Sequence, residues 1–250
     1  MAKTLTAFRR ERGVTLIELM IAMGLSLLIG LAVIEVFLSQ RQLFVAQDEQ
    51  SRMQENARFV FEQVSRDLRM VGYWGCSNKV AITNNTSEST NSTLAADAVK
   101  GGSGLLTLKY LDVDNKKVVG SGGAVSLSGL TSPFVVANCT SATVFDGSTL
   151  PGGYSEGSEV FPLLEVTYLK TDAGQIKRSD EVLVDNGVDD FSFVYGVGTG
   201  DYVDGYKGDD VMSASDWANV KSVKMKLTLS SEHVKARQFI SVIAIRNRLP

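Results

Sequence analysis

The hydrophobic pattern along the chain changes period twice. From Val14 to Leu38 apolar residues run almost unbroken, with Glu18 near the start and Glu35 near the end, and everything from Leu19 to Ile34 is uncharged. A bilayer-spanning helix needs about 20 such residues or somewhat fewer. The run is rich in Leu, Ile, Ala, Met and Gly, which suits a lipid-embedded helix better than a strand. Beyond it, Gln40 to Val71 contains no Gly or Pro. There Met53, Ala57, Val60, Phe61, Val64, Leu68 and Val71 recur at spacings of three and four, one apolar stripe on a helix. Glu55, Arg58, Glu62, Arg66 and Arg69 fall off that stripe, and Glu62 and Arg66 form a favourable i,i+4 pair. The pattern predicts one helix from Val14 to about Val71, roughly 85 Å long. A bilayer core takes only about 30 Å of it. Gly72 is placed to terminate the helix as its C′ residue.

After the helix the period falls to two. Ser77 to Gly104 is polar and rich in Ser, Thr and Asn, and is expected to be a long surface loop. Short strands are predicted at Leu105–Leu111, Val118–Val119, Ala124–Leu127, Phe134–Ala137, Ala142–Phe145 and Val160–Lys170. More follow at Gln175–Arg178, Glu181–Val184, Asp190–Tyr195, Val220–Ser230 and Phe239–Asn247. Val223, Met225, Leu227 and Leu229 alternate with Lys224, Lys226, Thr228 and Ser230, as in a half-buried strand. Phe239 to Ile245 is nearly continuous in apolar residues, which predicts a central strand. Asp172-Ala173-Gly174 has the make-up of a hairpin turn.

Charge gives this arrangement a direction. The segment before Val14 carries Lys3, Arg9, Arg10 and Arg12 against Glu11 alone. Basic residues stay cytoplasmic, so the chain beyond about Leu38 is expected on the far side of the membrane. No small-residue cleavage site follows the apolar run, so the run is expected to be retained rather than removed as a secretory peptide. Cys76 and Cys139 then both lie on the exported side, where a disulfide is the natural pairing. It would close a loop of about 64 residues and stabilise by roughly 4 kcal/mol.

Glu18 is the anomaly in the apolar run. A carboxylate deep in hydrocarbon costs at least about 2.5 kcal/mol. Either it reaches back to the headgroups or it waits for a cation. Cleavage after Gly13 would create one, the amino group of Val14, one helical turn away or on a neighbouring subunit.

The stretch Arg9-Arg10-Glu11-Arg12-Gly13-Val14-Thr15-Leu16-Ile17-Glu18 resembles the class III signal of type IV pilins and type II secretion pseudopilins. The resemblance implies a leader at 1–13 that a prepilin peptidase removes after Gly13, N-methylation of Val14, and an assembly role for Glu18. Val14 stands where many members have Phe, and the helix lacks the proline of many major pilins. The helix exit Arg69-Met70-Val71-Gly72-Tyr73-Trp74-Gly75-Cys76 resembles that of minor pilins of the PilW kind. So does the succession Tyr168-Leu169, Gly174 to Arg178, Gly187-Val188, Tyr195-Gly196, Trp217 and Arg246-Asn247-Arg248, much of which J-type pseudopilins share.

The expected fold is therefore α+β and pilin-like, a long N-terminal helix packed on an antiparallel β-sheet domain. Its divisions are a leader at 1–13, a transmembrane and assembly helix at 14–38, an amphipathic helix at 39–71 and a β-rich periplasmic domain at 72–250. The resemblance implies a minor pilin that helps prime a type IV pilus at its tip. Its partners would be other minor pilins, the major pilin, the prepilin peptidase and the inner-membrane assembly platform. It would be a single-pass inner-membrane protein first and a pilus-tip protein afterwards. The alternatives are a J-type pseudopilin of a type II secretion system and a pilin-anchored adhesin or DNA-uptake receptor.

Composition argues against other classes. His233 is the only histidine, so neither a catalytic triad nor a histidine-based metal site can be assembled; no enzyme activity, cofactor or metal is expected. Asp112-Val113-Asp114-Asn115 starts like a calcium loop but continues with two lysines. Asp201, Asp204, Asp209 and Asp210 form a better acidic cluster, for which a solvated loop is favoured over a calcium site. The formal charge is −3, and −6 once the leader's four basic residues and one acid are removed, which disfavours general nucleic-acid binding. Lys221, Lys224, Lys226, Lys235 and Arg237 give the last strands a modest basic character, expected to be a solvated face.

Overall fold

The computed structural model describes residues 13–73, 81–85, 98–102, 104–128, 133–138, 141–145, 150 and 153–248. The chain divides into two compact units, Met1–Gln50 and Ser51–Pro250. Helix α1, Leu16–Met70, supplies the described helix of the first and opens the second. Within the first unit the large apolar side chains from Leu16 to Leu38 are all half exposed or more. The hydroxyl of Ser26 is satisfied inside the helix, donating to the Ala22 carbonyl at 2.7 Å, so it adds no unmet polar group to the apolar surface.

In the second unit the predicted stripe is buried. Met53, Ala57, Val60, Val64, Leu68 and Val71 are at most 5 % exposed, and Phe61 packs at the margin. Each of the larger ones withdrawn from water contributes about 1.5–3 kcal/mol. The helix ends as its sequence predicts: Gly72 takes φ +75° and the amide of Tyr73 bonds back to the Met70 carbonyl at 3.2 Å. The side-chain amide of Asn247 donates to the carbonyls of Val71 and Arg69, at 3.0 and 3.3 Å, meeting acceptors that a helix end leaves open.

The strands are β1 (Ala81–Asn85), β2 (Val99–Gly102), β3 (Leu105–Leu111), β4 (Lys117–Val118), β5 (Phe134–Ala137), β6 (Ser141–Phe145) and β7 (Glu159–Lys170). They continue with β8 (Ile176–Arg178), β9 (Glu181–Val184), β10 (Val188–Val197), β11 (Gly205–Gly208), β12 (Val220–Leu229) and β13 (Arg237–Ala244). They form two sheets. The first has the order β1-β6-β5-β7-β3-β2, with β4 and the β8–β9 pair attached to the long β7; the second is β11-β10-β12-β13. Every pairing is antiparallel except β1 with β6. The architecture is thus a long N-terminal helix followed by a largely antiparallel β domain. One core joins the helix stripe to Leu106, Leu108, Tyr168, Phe191 and Met225, among others. Val119, Phe134, Val136, Phe145 and Val160 form a second, small core.

Three expectations are corrected. The stretch Ser77–Gly104 is not all loop: it contributes β1 and β2, whose short polar and glycine-rich sequences take their strand form from pairing with β6 and β3. Ala124–Leu127 is not a strand; its alternation reflects Val125 and Leu127 packing on the small core from irregular backbone. Phe239–Ile245 is not central. As far as Ala244 it lies in β13, an edge strand, and its second apolar face is open, with Ile240 and Val242 more than half exposed.

One tight packing constraint lies just before β10. Gly187 has φ +78°, its carbonyl accepts from the Ser230 amide at 2.9 Å, and a Cβ there would sit 2.6 Å from the Ser230 carbonyl oxygen. Gly187→Ala should therefore cost roughly 2 kcal/mol or more in chemical denaturation of the full chain. An unchanged midpoint would show that the β10–β12 junction can open without loss.

Candidate functional site

Two clusters stand out, one at each end of α1. At its start, Gly13 and Val14 are exposed and precede the helix, Thr15 is the N-cap and Glu18 the third helical residue. The backbone amide and the hydroxyl of Thr15 both donate to Oε2 of Glu18, at 3.0 and 2.9 Å, and the Glu18 amide faces the Thr15 hydroxyl oxygen at 3.4 Å. This is a reciprocal capping box. It does two things at once. It satisfies orphan donors of the first turn, and it ties one carboxylate oxygen while Oε1 makes no hydrogen bond among the described residues. The Thr-x-x-Glu spacing could have revealed the cap, which the membrane-centred reading of Glu18 passed over.

At the other end, Asp67 lies on the buried stripe, 3 % exposed. It accepts hydrogen bonds from the phenols of Tyr168 and Tyr110, at 2.6 and 3.0 Å, and from Nε of Arg178 at 2.9 Å. The terminal nitrogen of Arg178 lies 3.3 Å from the other carboxylate oxygen and 3.1 Å from the Tyr110 hydroxyl. Helix α1, β3, β7 and β8 each bring one member, so the cluster fixes the helix against the first sheet in one register. Burial, reinforced by Asp67, raises the pKa of both phenols, and the Asp67 hydrogen bond raises that of Arg178. All three donors therefore keep their protons across the physiological range. The signal was an acid three residues after Val64 and four before Val71, on a stripe that is otherwise apolar.

Other sequence candidates are not gathered into sites. Asp112 accepts from the amides of Asp114 and Asn115, an ordinary turn. Asp204 accepts from the Thr199 amide, and among the described residues no three potential ligands converge on a metal position. The segment expected to be a loop around those acids carries β11 and the short helix α2 (Ala214–Ala218), capped by Ser213 and Asp216. Cys76 and Cys139 lie outside the described residues, as does Trp74.

Residues 8–34 match the prokaryotic N-terminal methylation motif. No curated protein and no solved structure matches the chain. Within the described residues one helix is long and apolar enough to cross a membrane, by length and composition, and it is the one that carries the motif. The prepilin-type methylation motif and a helix able to span a bilayer thus fall on the same stretch of chain.

Proposed function

We propose that the chain is a minor pilin of the PilW kind that helps initiate type IV pilus assembly within a tip-located complex. The observation that carries this is the methylation motif set on a helix that is uncharged on every side from Leu19 to Ile34 and amphipathic only later. A segment of that kind is stable in a bilayer before assembly and among sister helices afterwards. In this reading the leader 1–13 is cut after Gly13 and Val14 is methylated. Residues 14–38 anchor the subunit and then pack in the fibre, and 39–71 lead into the periplasmic domain 72–250. Glu18 neutralises a terminal amine, in its own subunit or the next, and Cys76 pairs with Cys139. The partners are other minor pilins, the major pilin, the prepilin peptidase and the assembly platform.

The J-type pseudopilin alternative shares every one of these features. The long polar stretch after the helix and the Tyr73-to-Cys76 exit favour the pilus. Deletion decides between them: loss of twitching with normal secretion supports the minor pilin, and the reverse result replaces it with the pseudopilin. A domain that binds a surface or DNA while pilus numbers stay normal would replace both with an anchored receptor.

Processing has its own test. Gly13→Leu should leave the leader attached, so mass spectrometry of the membrane-extracted chain should find Met1 at its N-terminus. The wild type should begin at a methylated Val14. An exported, functional wild type that keeps residues 1–13 would overturn the proposal.

A further inference from the structure

Among the edge strands, β13 differs from the rest. β2, β9 and β11 have four residues each, and β1 has five. β13 has eight, pairs with β12 from Leu229↔Arg237 to Ser222↔Ala244 without a register shift, and has no second strand partner among the described residues. Free edges of this kind are normally blunted by lysine, proline or a bulge, because their unpaired amides and carbonyls recruit other strands. β13 has none of these and instead shows Ile240 and Val242 to solvent, 53 % and 54 % exposed.

Beside this edge runs an open groove lined by Ser65 and Arg69 of α1, the stretch 241–244 and Arg246. Arg69 and Arg246 are both exposed, and neither has an ion-pair partner among the described residues. Among the described residues no acid lines the groove. On a chain whose overall charge is negative, two guanidiniums flanking an unpaired sheet edge are a local exception.

We infer that β13 is a docking edge for an extended segment of another protein. That segment would add as a fifth strand to the second sheet, bear apolar side chains against Ile240 and Val242, and place carboxylates near Arg69 and Arg246. Strand addition gives affinity through the main chain and specificity through alternate side chains, and arginine suits bidentate carboxylate recognition. The charges argue against a second copy. Antiparallel pairing of β13 with itself would bring the Arg246 end of one strand beside Arg237 of the other. They also argue against duplex DNA, which needs a row of phosphate contacts where this edge offers two cations at one end and Arg237 alone at the other. The inference does not depend on the priming role, since it uses only the β domain and the last turns of α1.

The test uses the full chain in detergent micelles and fluorescence anisotropy. The probe is a short labelled peptide of alternating valine and threonine ending in three glutamates. Its controls are a twin ending in three lysines and a twin N-methylated along one edge. The glutamate peptide should bind about tenfold or more tightly than the lysine peptide. N-methylation should abolish binding, since it removes the main-chain donors. Arg69→Gln with Arg246→Gln should weaken binding about tenfold while circular dichroism stays unchanged; both residues are exposed, so the fold should persist. Val182→Lys, on the edge strand β9, should have no effect. Four results would overturn the inference: no binding of the glutamate peptide, equal binding of the two charged peptides, indifference to the arginine pair, or tight binding of a labelled DNA duplex with none of peptide. Dimerisation of the chain that Ile240→Lys abolishes would instead give the edge to a second copy.

Discussion

Asp67→Leu should destabilise the β domain by about 3 kcal/mol. Removing one partner of a buried, hydrogen-bonded ion pair typically costs about 3–5 kcal/mol, because the other charge stays behind unpaired. Here the lower end applies, since the Arg178 side chain is 24 % exposed and can recover some hydration. The leucine also leaves the phenols of Tyr110 and Tyr168 without their acceptor. For a domain of this size the loss corresponds to a fall in Tm of roughly 6–12 °C. The double variant Asp67→Leu with Arg178→Met should recover most of it, because apolar side chains of similar volume often replace a buried pair at little cost. Additive losses in that pair of variants would show that the two residues act independently, and the cluster would not be a unit.

The same cluster sets a pH dependence. Tyr110 and Tyr168 have pKa values raised above the usual tyrosine value of about 10, by burial first and by Asp67 next. In the unfolded chain they titrate near that usual value. As pH rises past about 10 the unfolded chain therefore loses protons that the folded chain keeps, and unfolding is favoured. The stability these phenols confer is complete below about pH 10 and declines above it, at up to about 1.4 kcal/mol per pH unit for each. Tyr110→Phe with Tyr168→Phe should flatten that alkaline decline in urea midpoints; an equally steep decline in the variant would place its origin elsewhere.

The parts legible in the sequence were those where one physical signal dominates. The stripe from Met53 to Val71 follows the helical period and is buried as expected. The alternation of β12 at Val223, Met225 and Leu227 follows from one face meeting the core. The place of β13 is not legible because an apolar run has two causes, burial on both faces or exposure of one face for a partner, and periodicity alone does not separate them. β1 and β2 were missed for the opposite reason. Their residues carry no strand pattern of their own, and only the neighbours β6 and β3 make them strands. The role of Asp67 is not legible locally because its partners are 43, 101 and 111 residues away in sequence. At the start of α1 the membrane cost of Glu18 dominates the sequence signal, and the Thr15-x-x-Glu18 spacing is the only trace of the cap.

That local bonding sharpens what Glu18 should do. If its carboxylate serves only the helix, then anything that keeps the cap will work. If it also neutralises the amine of Val14, charge is indispensable and the cap is secondary. One oxygen is already held by Thr15 and the other is available to a cation, so both roles fit one side chain. Glu18→Val removes cap and charge, Glu18→Gln keeps an acceptor for Thr15 without the charge, and Thr15→Val keeps the charge while removing the hydroxyl. Losing the cap costs about 1 kcal/mol of helix stability, a small term for a helix of 55 residues. An unpaired charge at an apolar helix–helix contact costs several times more. In cells lacking the chromosomal copy, Glu18→Val and Glu18→Gln should both fail to restore piliation, although both proteins accumulate in the membrane. Thr15→Val should restore most of it. Full piliation with Glu18→Gln would reduce Glu18 to a helix cap and remove the charge pairing from the mechanism of assembly.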